Sequence, residues 1–358
     1  MSKYLLLDVG AGSLDILYYD DDSGVHYKAV VRSPVLTVAE KARRLQGDLL
    51  VRGTEMGGGP VSDILVARAR EFQVLMTHSA ALTIHHDPER VKALGIKLVD
   101  EEQASALWAT GRYSNLTLGD LEIPRLQSLV ENFHVPFSFD AVAVCAQDHG
   151  MPPLGMSHLD FRHSLFKVNL DRNPFPHSLL YSGEEIPAPL NRLRGIAESA
   201  AQLPASEIYV MDSGMAAILG GTLDPEARSK ERIIVLDLAT SHTLGAALEQ
   251  GKIAGFFEYH TRDVTPERLE SLVIELADGK LVHEKILQQG GHGAYMREAF
   301  GFERSELMVV TGPKRRLMEK SRLPFRPGAP LGDHMMAGTS GLLEAIRRRK
   351  GLSPIPAW

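Results

Sequence analysis

The chain has 358 residues, of which 44% are hydrophobic and 23% are charged, and its formal net charge at pH 7 is −6. This length is enough to bury two cores, and the interleaving of acidic with basic residues argues against a dedicated nucleic-acid or membrane-surface binder. No apolar stretch approaches the length of a membrane span and the first residues show no signal-peptide pattern, so we expect a cytoplasmic protein.

Apolar runs of strand character alternate with helical periodicity along the chain, which is typical of an α/β fold. The predicted strands span residues 4–9, 14–19, 27–32, 49–52, 74–76, 141–146, 208–211, 233–238, 243–248, 253–258 and 307–311. The predicted helices span residues 37–45, 60–72, 124–133, 190–203, 266–277 and 333–349. We interpret the proline-punctuated stretch 150–189 as irregular, either a long active-site loop or an interdomain connection. A boundary near Pro204 divides the chain into domains 1–204 and 205–358.

The first two predicted strands form a hairpin around a glycine-rich turn. Residues 5–20 read LLLDVGAGSLDILYYD, with Gly10 and Gly12 between Asp8 and Asp15. Glycine allows a tight turn and lets backbone N–H groups approach an anion, and the flanking carboxylates are suited to hold a hydrated Mg²⁺ beside a phosphate. An ordinary surface hairpin is the alternative interpretation.

The second half of the chain repeats this pattern. Residues 233–248 read IIVLDLATSHTLGAAL, and Asp237 takes the position that Asp8 has in the first hairpin. Two such hairpins, one in each domain, can hold a polyphosphate from opposite sides. Three further segments accompany them, namely MDSGMAAILGG at 211–221, MVVTGPKRRL at 308–317 and GDHMMAGTSGLLEAI at 332–346. The last segment predicts a helix whose small residues pack tightly against another helix.

In their order and spacing, these five segments resemble the signature segments of the actin, DnaK-type chaperone and sugar-kinase ATPase superfamily. In that superfamily they are named phosphate 1, connect 1, phosphate 2, adenosine and connect 2. The resemblance implies a two-domain, actin-like (ribonuclease H-like) α/β fold with an interdomain cleft, where ATP and Mg²⁺ bind and where hinge closure completes the site. The last helix, 333–349, is then expected to pack back toward the N-terminal domain.

The resemblance assigns catalytic roles to Asp8 and Asp237, which are expected to act on Mg²⁺ through water. The residues expected to contact the nucleotide are Gly10, Gly12, Ser13, Asp15, Thr240, Ser241, His242, Thr243, Thr311 and Gly312. Two positions depart from the superfamily pattern, because Ala239 and Pro313 stand where glycines are usual. Pro313 removes an N–H group near the expected base and ribose, so these departures could alter, weaken or abolish nucleotide binding.

A polar segment after the strand 141–146 indicates a second substrate. Gln147, Asp148 and His149 lie at the carboxyl end of this strand, where α/β proteins place ligands. Asp148 is a candidate general base for phosphoryl transfer, with His149 orienting it. The alternative is that the pair caps the next segment and satisfies backbone groups.

Other candidate substrate contacts are Gly57, Gly58, Gly59, His260, Arg262 and His292. The three glycines precede a predicted helix and form either a ligand loop or a plain strand-to-helix turn. Arg262 is suited to clamp an anion bidentately. The neutral imidazoles of His149, His242 and His292 can bind a transition metal, although none has the spacing of a metal motif.

Six segments resemble more closely a prokaryotic family whose members are labelled pyruvate formate-lyase activating enzymes. They are DVGAGSLDIL, GTEMGGGPVS, AVCAQDHG, FEYHTR, GGHGA and VVTGPKR. A radical-SAM activating enzyme needs three cysteine thiolates for its iron–sulfur cluster, and Cys145 is the only cysteine of this chain. We therefore predict that the protein is not a radical-SAM enzyme and that Cys145, in an apolar strand, is a buried inert thiol.

Three functions are compatible with these patterns. The first is an ATP- and Mg²⁺-dependent phosphotransferase or ATPase that acts on a small metabolite. The second is a nucleotide-gated regulatory or chaperone-like protein without small-molecule turnover. The third is a histidine-based metalloenzyme on the same scaffold. We expect a small-molecule substrate and no nucleic-acid or membrane partner, while the oligomeric state stays open.

Overall fold

The computed structural model describes residues 2–153 and 155–356, which form three sheets and twelve α-helices. The strands are β1 (Lys3–Val9), β2 (Ser13–Asp20), β3 (His26–Arg32), β4 (Leu49–Gly53), β5 (Val74–Thr77), β6 (Ile96–Val99), β7 (Ser114–Leu118), β8 (Phe139–Ala146), β9 (Leu180–Tyr181), β10 (Ala205–Asp212), β11 (Arg232–Leu238), β12 (His242–Glu249), β13 (Lys252–His260), β14 (Gly293–Met296), β15 (Leu307–Thr311) and β16 (Arg326–Pro327). The helices are α1 (Pro34–Arg44), α2 (Pro60–Arg68), α3 (His78–Ala81), α4 (Pro88–Ala93), α5 (Glu101–Ala109), α6 (Ile123–Glu131), α7 (His158–Arg172), α8 (Asn191–Ala200), α9 (Ser213–Gly221), α10 (Pro266–Ala277), α11 (His283–Gln288) and α12 (Ala337–Arg349). Within the described ranges, no helix is both long and apolar enough to cross a membrane.

The first and second sheets repeat one topology. In the first sheet, of order β3-β2-β1-β8-β10-β9, three antiparallel strands are followed by β8 parallel to β1 and β10 parallel to β8. In the second sheet, of order β14-β13-β12-β11-β15-β16, the antiparallel strands β11 to β13 are followed by the parallel strands β15 and β16. The two hairpins that the sequence predicted therefore occupy equivalent places in two sheets of similar topology.

The two sheets share a hydrophobic core with the helices α9 and α12. Buried members of this core include Leu6 of β1, Met211 of β10, Val235 of β11 and Leu342 of α12. A further core lies on the outer side of each sheet. Because one core joins residues of both sheets, the position of each sheet depends on the packing of these two helices.

The helices α9 and α12 are in close contact because glycines occupy the positions where the two helices cross. A Cβ atom on Gly341 would lie 1.8 Å from the carbonyl oxygen of Ala216, and one on Gly220 would lie 1.9 Å from that of Ala337. Near the start of α12, a Cβ atom on Gly338 would lie 2.0 Å from Oδ2 of Asp8. The last helix therefore also contacts the end of β1.

The third sheet belongs to an insertion between β3 and β8. Its strands are all parallel, in the order β6-β5-β4-β7, and its core is separate from those of the other sheets. The glycine run at 57–59 follows β4 and leads into α2. The insertion thereby brings a loop of its own to the functional site.

Each predicted strand and helix is present, with boundaries that differ by a few residues. The prediction of an irregular stretch at 150–189 is wrong, since α7 occupies His158–Arg172. The prolines at this stretch flank the helix and do not interrupt it, and the Ser157 side chain caps it by accepting a hydrogen bond from the Asp160 amide. The strand β10 pairs with β8, so the first sheet contains residues on both sides of position 204.

Candidate functional site

A cavity of about 740 Å³ lies at the carboxyl ends of the central strands of the first and second sheets. The residues that follow β1, β8, β10, β11 and β15 line its wall, and the insertion contributes its glycine loop. Parallel strands of α/β proteins generally place ligands at this end. The cavity is therefore where both hairpin turns, the glycine loop and most candidate side chains meet.

The two hairpin turns have the same local structure and face each other. The amide of Gly10 donates to the carbonyl of Ser13 over 3.0 Å, and the amide of Ala239 donates to the carbonyl of His242 over 3.1 Å. A Cβ atom on Gly12 would lie only 3.1 Å from Cγ2 of Thr240. Glycine at position 12 therefore allows the turns to approach each other across the cleft.

Three aspartates lie at the base of these turns, and all have raised pKa values. Burial, together with the charge of Asp237, raises the pKa of Asp8 to about 7. Burial and the charge of Asp8 raise the pKa of Asp15 to about 8. Burial raises the pKa of Asp237 to about 6, although the Thr311 hydroxyl donates to its Oδ1 atom over 2.9 Å. The carboxylates lie close enough to repel one another when they are ionised.

These three carboxylates supply the oxygen ligands that Mg²⁺ prefers. Oδ1 of Asp15 is buried and has no hydrogen-bond partner among the described residues. A buried carboxylate oxygen without a partner is costly, and a hydrated cation would satisfy it and offset the repulsion between Asp8, Asp15 and Asp237. The residues present therefore fit a hydrated Mg²⁺ ion.

The residues after β8 are engaged in the structure of the cavity wall. Oδ1 of Asp148 accepts from the amide of Gly150 over 2.8 Å, and Oδ2 accepts from the amide of Leu193, in the first turn of α8, over 3.0 Å. Gln147 donates its side-chain amide to Glu258. Because both oxygens of Asp148 accept backbone bonds, this geometry favours the capping interpretation over that of a general base.

The glycine loop at 57–59 lines the cavity, and a steric or conformational constraint favours glycine at each of its three positions. A Cβ atom on Gly57 would lie 2.6 Å from Cγ2 of Val35, and one on Gly58 would lie 2.8 Å from the hydroxyl of Ser62. Gly59 has φ of +52°, in the left-handed region. These two contacts and the φ angle of Gly59 account for the three consecutive glycines, so no bound ligand is needed to explain them.

Four histidines gather on another part of the wall. The ring centroids of His242 lie 5.0 Å from those of His292 and 6.3 Å from those of His149, and the His260 ring lies 4.3 Å from that of His292. Burial lowers the pKa of His149 to about 3 and that of His242 to about 4, so both imidazoles are neutral at pH 7.

Beside the histidines lies a buried ionic network. Arg162 contacts Oε2 of Glu258 over 3.3 Å and Oδ2 of Asp212 over 2.8 Å, and it donates to the carbonyl of Asp148 over 2.6 Å. Burial by itself raises the pKa of Glu258, but the guanidinium of Arg162 and the neighbouring His242 and His292 together outweigh burial and hold this pKa well below its usual range. Glu258 is therefore ionised next to the imidazoles.

Four predicted site residues do not line the cavity. Gly12 contacts the opposite turn, and Thr243 forms a hydroxyl contact of 3.0 Å with Thr261 behind that turn. Thr311 supports Asp237 from behind. Arg262, expected to clamp an anion, has a side chain that is 81% exposed and lies 3.6 Å from Oδ1 of Asp263, outside the cavity lining. The other predicted site residues line the cavity, namely Asp8, Gly10, Ser13, Asp15, Gly57, Gly58, Gly59, Gln147, Asp148, His149, Asp237, Thr240, Ser241, His242, His260, His292 and Gly312.

Sequence reasoning missed two pairs of side chains at the cavity. His86 lies 2.8 Å from Oε1 of Glu55, in a buried contact that the insertion supplies. Arg192 binds both carboxylate oxygens of Asp120, over 2.8 and 2.9 Å, and thereby ties α8 to the insertion. Glu55 stands two residues before the glycine run, which was the one local signal available for the first pair.

The duplicated sheets and the cleft at their carboxyl ends define an α/β protein with an actin-like fold, the fold that the five segments predicted. The chain belongs to the family described as "Putative pyruvate format-lyase activating enzyme (DUF1786)", whose sequence model matches residues 56–317. No curated protein matches the chain in sequence.

Solved structures of several proteins resemble this chain at low identity. An inorganic polyphosphate/ATP-glucomannokinase from Arthrobacter sp. strain KM is 13% identical, with a TM-score of 0.39 over 98% of this chain and 100% of that one. A PilM–PilN type IV pilus biogenesis complex is 14% identical, with a TM-score of 0.40 over 98% and 99%. A ROK hexokinase from Thermus thermophilus is 11% identical, with a TM-score of 0.29 over 98% and 91%. Similarities at this level do not indicate an activity for this chain.

The residues present do not fit the iron–sulfur cluster that the family description implies. Cys145 is the only cysteine in the sequence, and it is buried in the middle of the first sheet. Burial raises the pKa of its thiol well above the usual value, so the thiolate that such a cluster requires is disfavoured. The expectation that Cys145 is a buried thiol agrees with this position.

Proposed function

We propose that the protein is an ATP- and Mg²⁺-dependent phosphotransferase or ATPase that acts on a small molecule. The observation that carries the proposal is the opposition of the two hairpin turns above Asp8, Asp15 and Asp237. An anion held between backbone amides and hydroxyls, next to a cation held by carboxylates, is the arrangement that phosphoryl transfer requires.

In this proposal each group of residues has a distinct task. The three carboxylates orient the water shell of Mg²⁺, and the hydroxyls of Ser13, Thr240 and Ser241 line the place where phosphate oxygens would lie. Bound MgATP would supply the transferable phosphoryl group. Its Mg²⁺ ion would supply the positive charge that offsets the negative carboxylates. Catalysis then depends on positioning and charge neutralisation more than on covalent chemistry.

The insertion provides a wall suited to an acceptor molecule. Glu55, Met56 and His86 line the cavity beside the glycine loop. Burial alone lowers the pKa of His86, but the hydrogen bond to Glu55 and the charges of Glu55 and Asp148 together outweigh burial and raise the pKa. This polar pair could orient a hydroxyl or amine group of a substrate. If no acceptor binds, water is the acceptor and the activity is that of an ATPase.

The proposal is tested with Asp237→Asn in calorimetry and in a turnover assay that measures ADP release. We expect the wild-type protein to bind MgATP and the variant to lose turnover by about 100-fold or more, because one carboxylate that orients the water shell of Mg²⁺ beside the transferred phosphate is removed. The matched control is Asp20→Asn, which changes a carboxylate at the far end of the first hairpin.

Two results would decide against this function. Absence of MgATP binding to the wild-type protein would remove the nucleotide from the cleft. Binding and closure without turnover, in the presence of candidate acceptors, would instead favour the nucleotide-gated regulatory protein. Equal turnover by wild type and Asp237→Asn would remove Asp237 from the proposed site.

A further inference from the structure

The histidines of the cavity form a group that phosphoryl transfer does not use. One ring nitrogen from each of His149, His242 and His292 lies within 4.8 Å of the other two. His149 follows β8 of the first sheet, whereas His242 and His292 belong to the second sheet at β12 and just before β14. The group therefore joins the two sheets across the cleft.

Two of these imidazoles carry polar atoms without a partner. Nε2 of His242 and Nδ1 of His292 are buried and make no hydrogen bond within the part of the chain that the structure describes. The side chain of His292 is only 8% exposed. A buried polar atom left without a bond costs about 1–3 kcal/mol, and both atoms belong to residues that line one cavity, so a shared ligand would relieve two such costs.

The surroundings of the three imidazoles suit a positive ion. Oε1 of Glu258 lies 3.7 Å from Nδ1 of His292, which is beyond hydrogen-bond distance. A small rotation of either side chain would bring the two atoms within that distance. Glu258 and Asp212 share one guanidinium, that of Arg162, so this buried network keeps an excess of negative charge. Carboxylates beside ligating histidines commonly orient the rings and increase their basicity.

We propose that His149, His242 and His292 bind one divalent transition-metal ion through three imidazole nitrogens, with a coordination position open to the cavity. Imidazole suits zinc, iron, cobalt or nickel, whereas Mg²⁺ prefers oxygen ligands, so this site is distinct from the carboxylate site at Asp8. Bonds of about 2.0–2.1 Å to a tetrahedral ion place the nitrogens about 3.4 Å apart, and the three nitrogens already lie within 4.8 Å of one another, so at most a small inward rotation of the rings is needed.

The coordination position that the three histidines leave open would allow a metal ion to bind a further ligand from the cavity. All three imidazoles line the cavity, so an oxygen atom of water or of a small molecule can reach an ion that they hold. Three histidines with one free position form a known arrangement of catalytic zinc, which activates water or polarises an oxygen ligand. Metal binding is expected with or without nucleotide, so it does not depend on the proposed function.

The test uses the full-length protein freed of metal by chelation, without nucleotide. Titration with Co²⁺ should show one equivalent bound and visible absorption bands of a low-symmetry site, and Zn²⁺ should displace the Co²⁺. His242→Ala and His292→Ala should each weaken Co²⁺ binding by about 100-fold or more, because changes outside the coordination sphere alone cost about 10–100-fold. The matched control is His158→Ala, which removes an imidazole from the same cavity but outside the group.

X-ray absorption at the zinc edge of the wild-type protein gives a result that does not require any variant to fold. Three imidazole nitrogens at about 2.0 Å are expected. The proposal is overturned if the wild-type protein binds less than one equivalent of Co²⁺ or Zn²⁺, or if the absorption spectrum shows fewer than three imidazoles. Equal Co²⁺ affinity in wild type, His242→Ala and His292→Ala, with all three folded by circular dichroism, would overturn it as well.

Discussion

Asp15 shows how the proposed metal site is coupled to stability. Its carboxyl group is 5% exposed, and burial with the charge of Asp8 raises its pKa from the ordinary 3.8 to about 8. The folded protein therefore holds this proton more tightly than the unfolded chain does. The protonated Asp15 therefore contributes fully to the free energy of unfolding at pH values below about 4, and this contribution is lost as the pH rises toward 8. A bound cation would reverse that loss.

We predict that Asp15→Asn makes the metal-free protein less sensitive to pH between pH 5 and pH 8. The amide carries no charge, so the variant avoids the cost of an ionised carboxylate, and each tenfold change in proton affinity corresponds to about 1.4 kcal/mol. Free energies of unfolding from urea titrations at the two pH values measure the effect. Adding Mg²⁺ at pH 8 should stabilise the wild type but not the variant.

Asp20→Asn serves as the control for this measurement, since it lies on the same strand at the other end of the hairpin. Its pH profile should match that of the wild type, and so should its response to Mg²⁺. Parallel pH profiles for the wild type and Asp15→Asn would show that the buried carboxylate does not carry this cost.

At the scale of elements, the contact between α9 and α12 leaves no room for a side chain at its glycines. We predict that Gly341→Ala destabilises the protein by about 2–3 kcal/mol, because the added Cβ atom would lie 1.8 Å from the carbonyl oxygen of Ala216. This sign is opposite to the gain of about 1 kcal/mol that alanine brings over glycine inside an exposed helix. Thermal and urea unfolding of the purified variant measure the change.

Gly119→Ala is the matched control for this helix contact. Its added Cβ atom would meet only the hydroxyl of Thr54, at 3.8 Å, which is an ordinary contact. We expect this variant to be as stable as the wild type or slightly more so. If Gly341→Ala unfolds like Gly119→Ala, the two helices are not packed as closely as the structure has them.

The elements that the sequence predicted are those with strong local patterns. The turn at Gly10 and its repeat at Ala239 combine an apolar strand, an aspartate and small residues, so both hairpins could be located from the chain alone. In contrast, β6 and β7 of the insertion are short and only partly buried, and their sequences lack a clear alternation. The helix α7 was not predicted because the prolines on either side of it indicate an irregular stretch, and the cap at Ser157 is a weaker local signal.

The candidate site was harder to predict than the fold, because its contacts depend on how separate strands are placed. Each histidine of the three-imidazole group looks like an ordinary loop residue in the sequence. Only the pairing of strands and the packing of the sheets brings His149 near His242. The same holds for Glu55 and His86, which meet because β4 and β5 are neighbours in the insertion.

At the scale of the whole molecule, we expect the two sheets to separate during turnover so that substrates can enter and products leave. The turns that would hold phosphate are already close, since an ideal Cβ atom on Gly12 lies 3.6 Å from Cβ of Thr240. This distance falls in the range of about 3.5–4.5 Å that a disulfide spans. The native Cys145 is fully buried and would not compete for oxidation.

We predict that the double variant Gly12→Cys/Thr240→Cys forms a disulfide that locks the cleft. The crosslink should raise the thermal midpoint by several degrees, because disulfides commonly contribute about 2–4 kcal/mol, and should lower ADP release by at least about tenfold if opening is required for turnover. Reductant should restore the rate to that of the reduced double variant, and the two single-cysteine variants should not respond to oxidation. Full turnover by the crosslinked protein would mean that the two sheets need not part during the reaction.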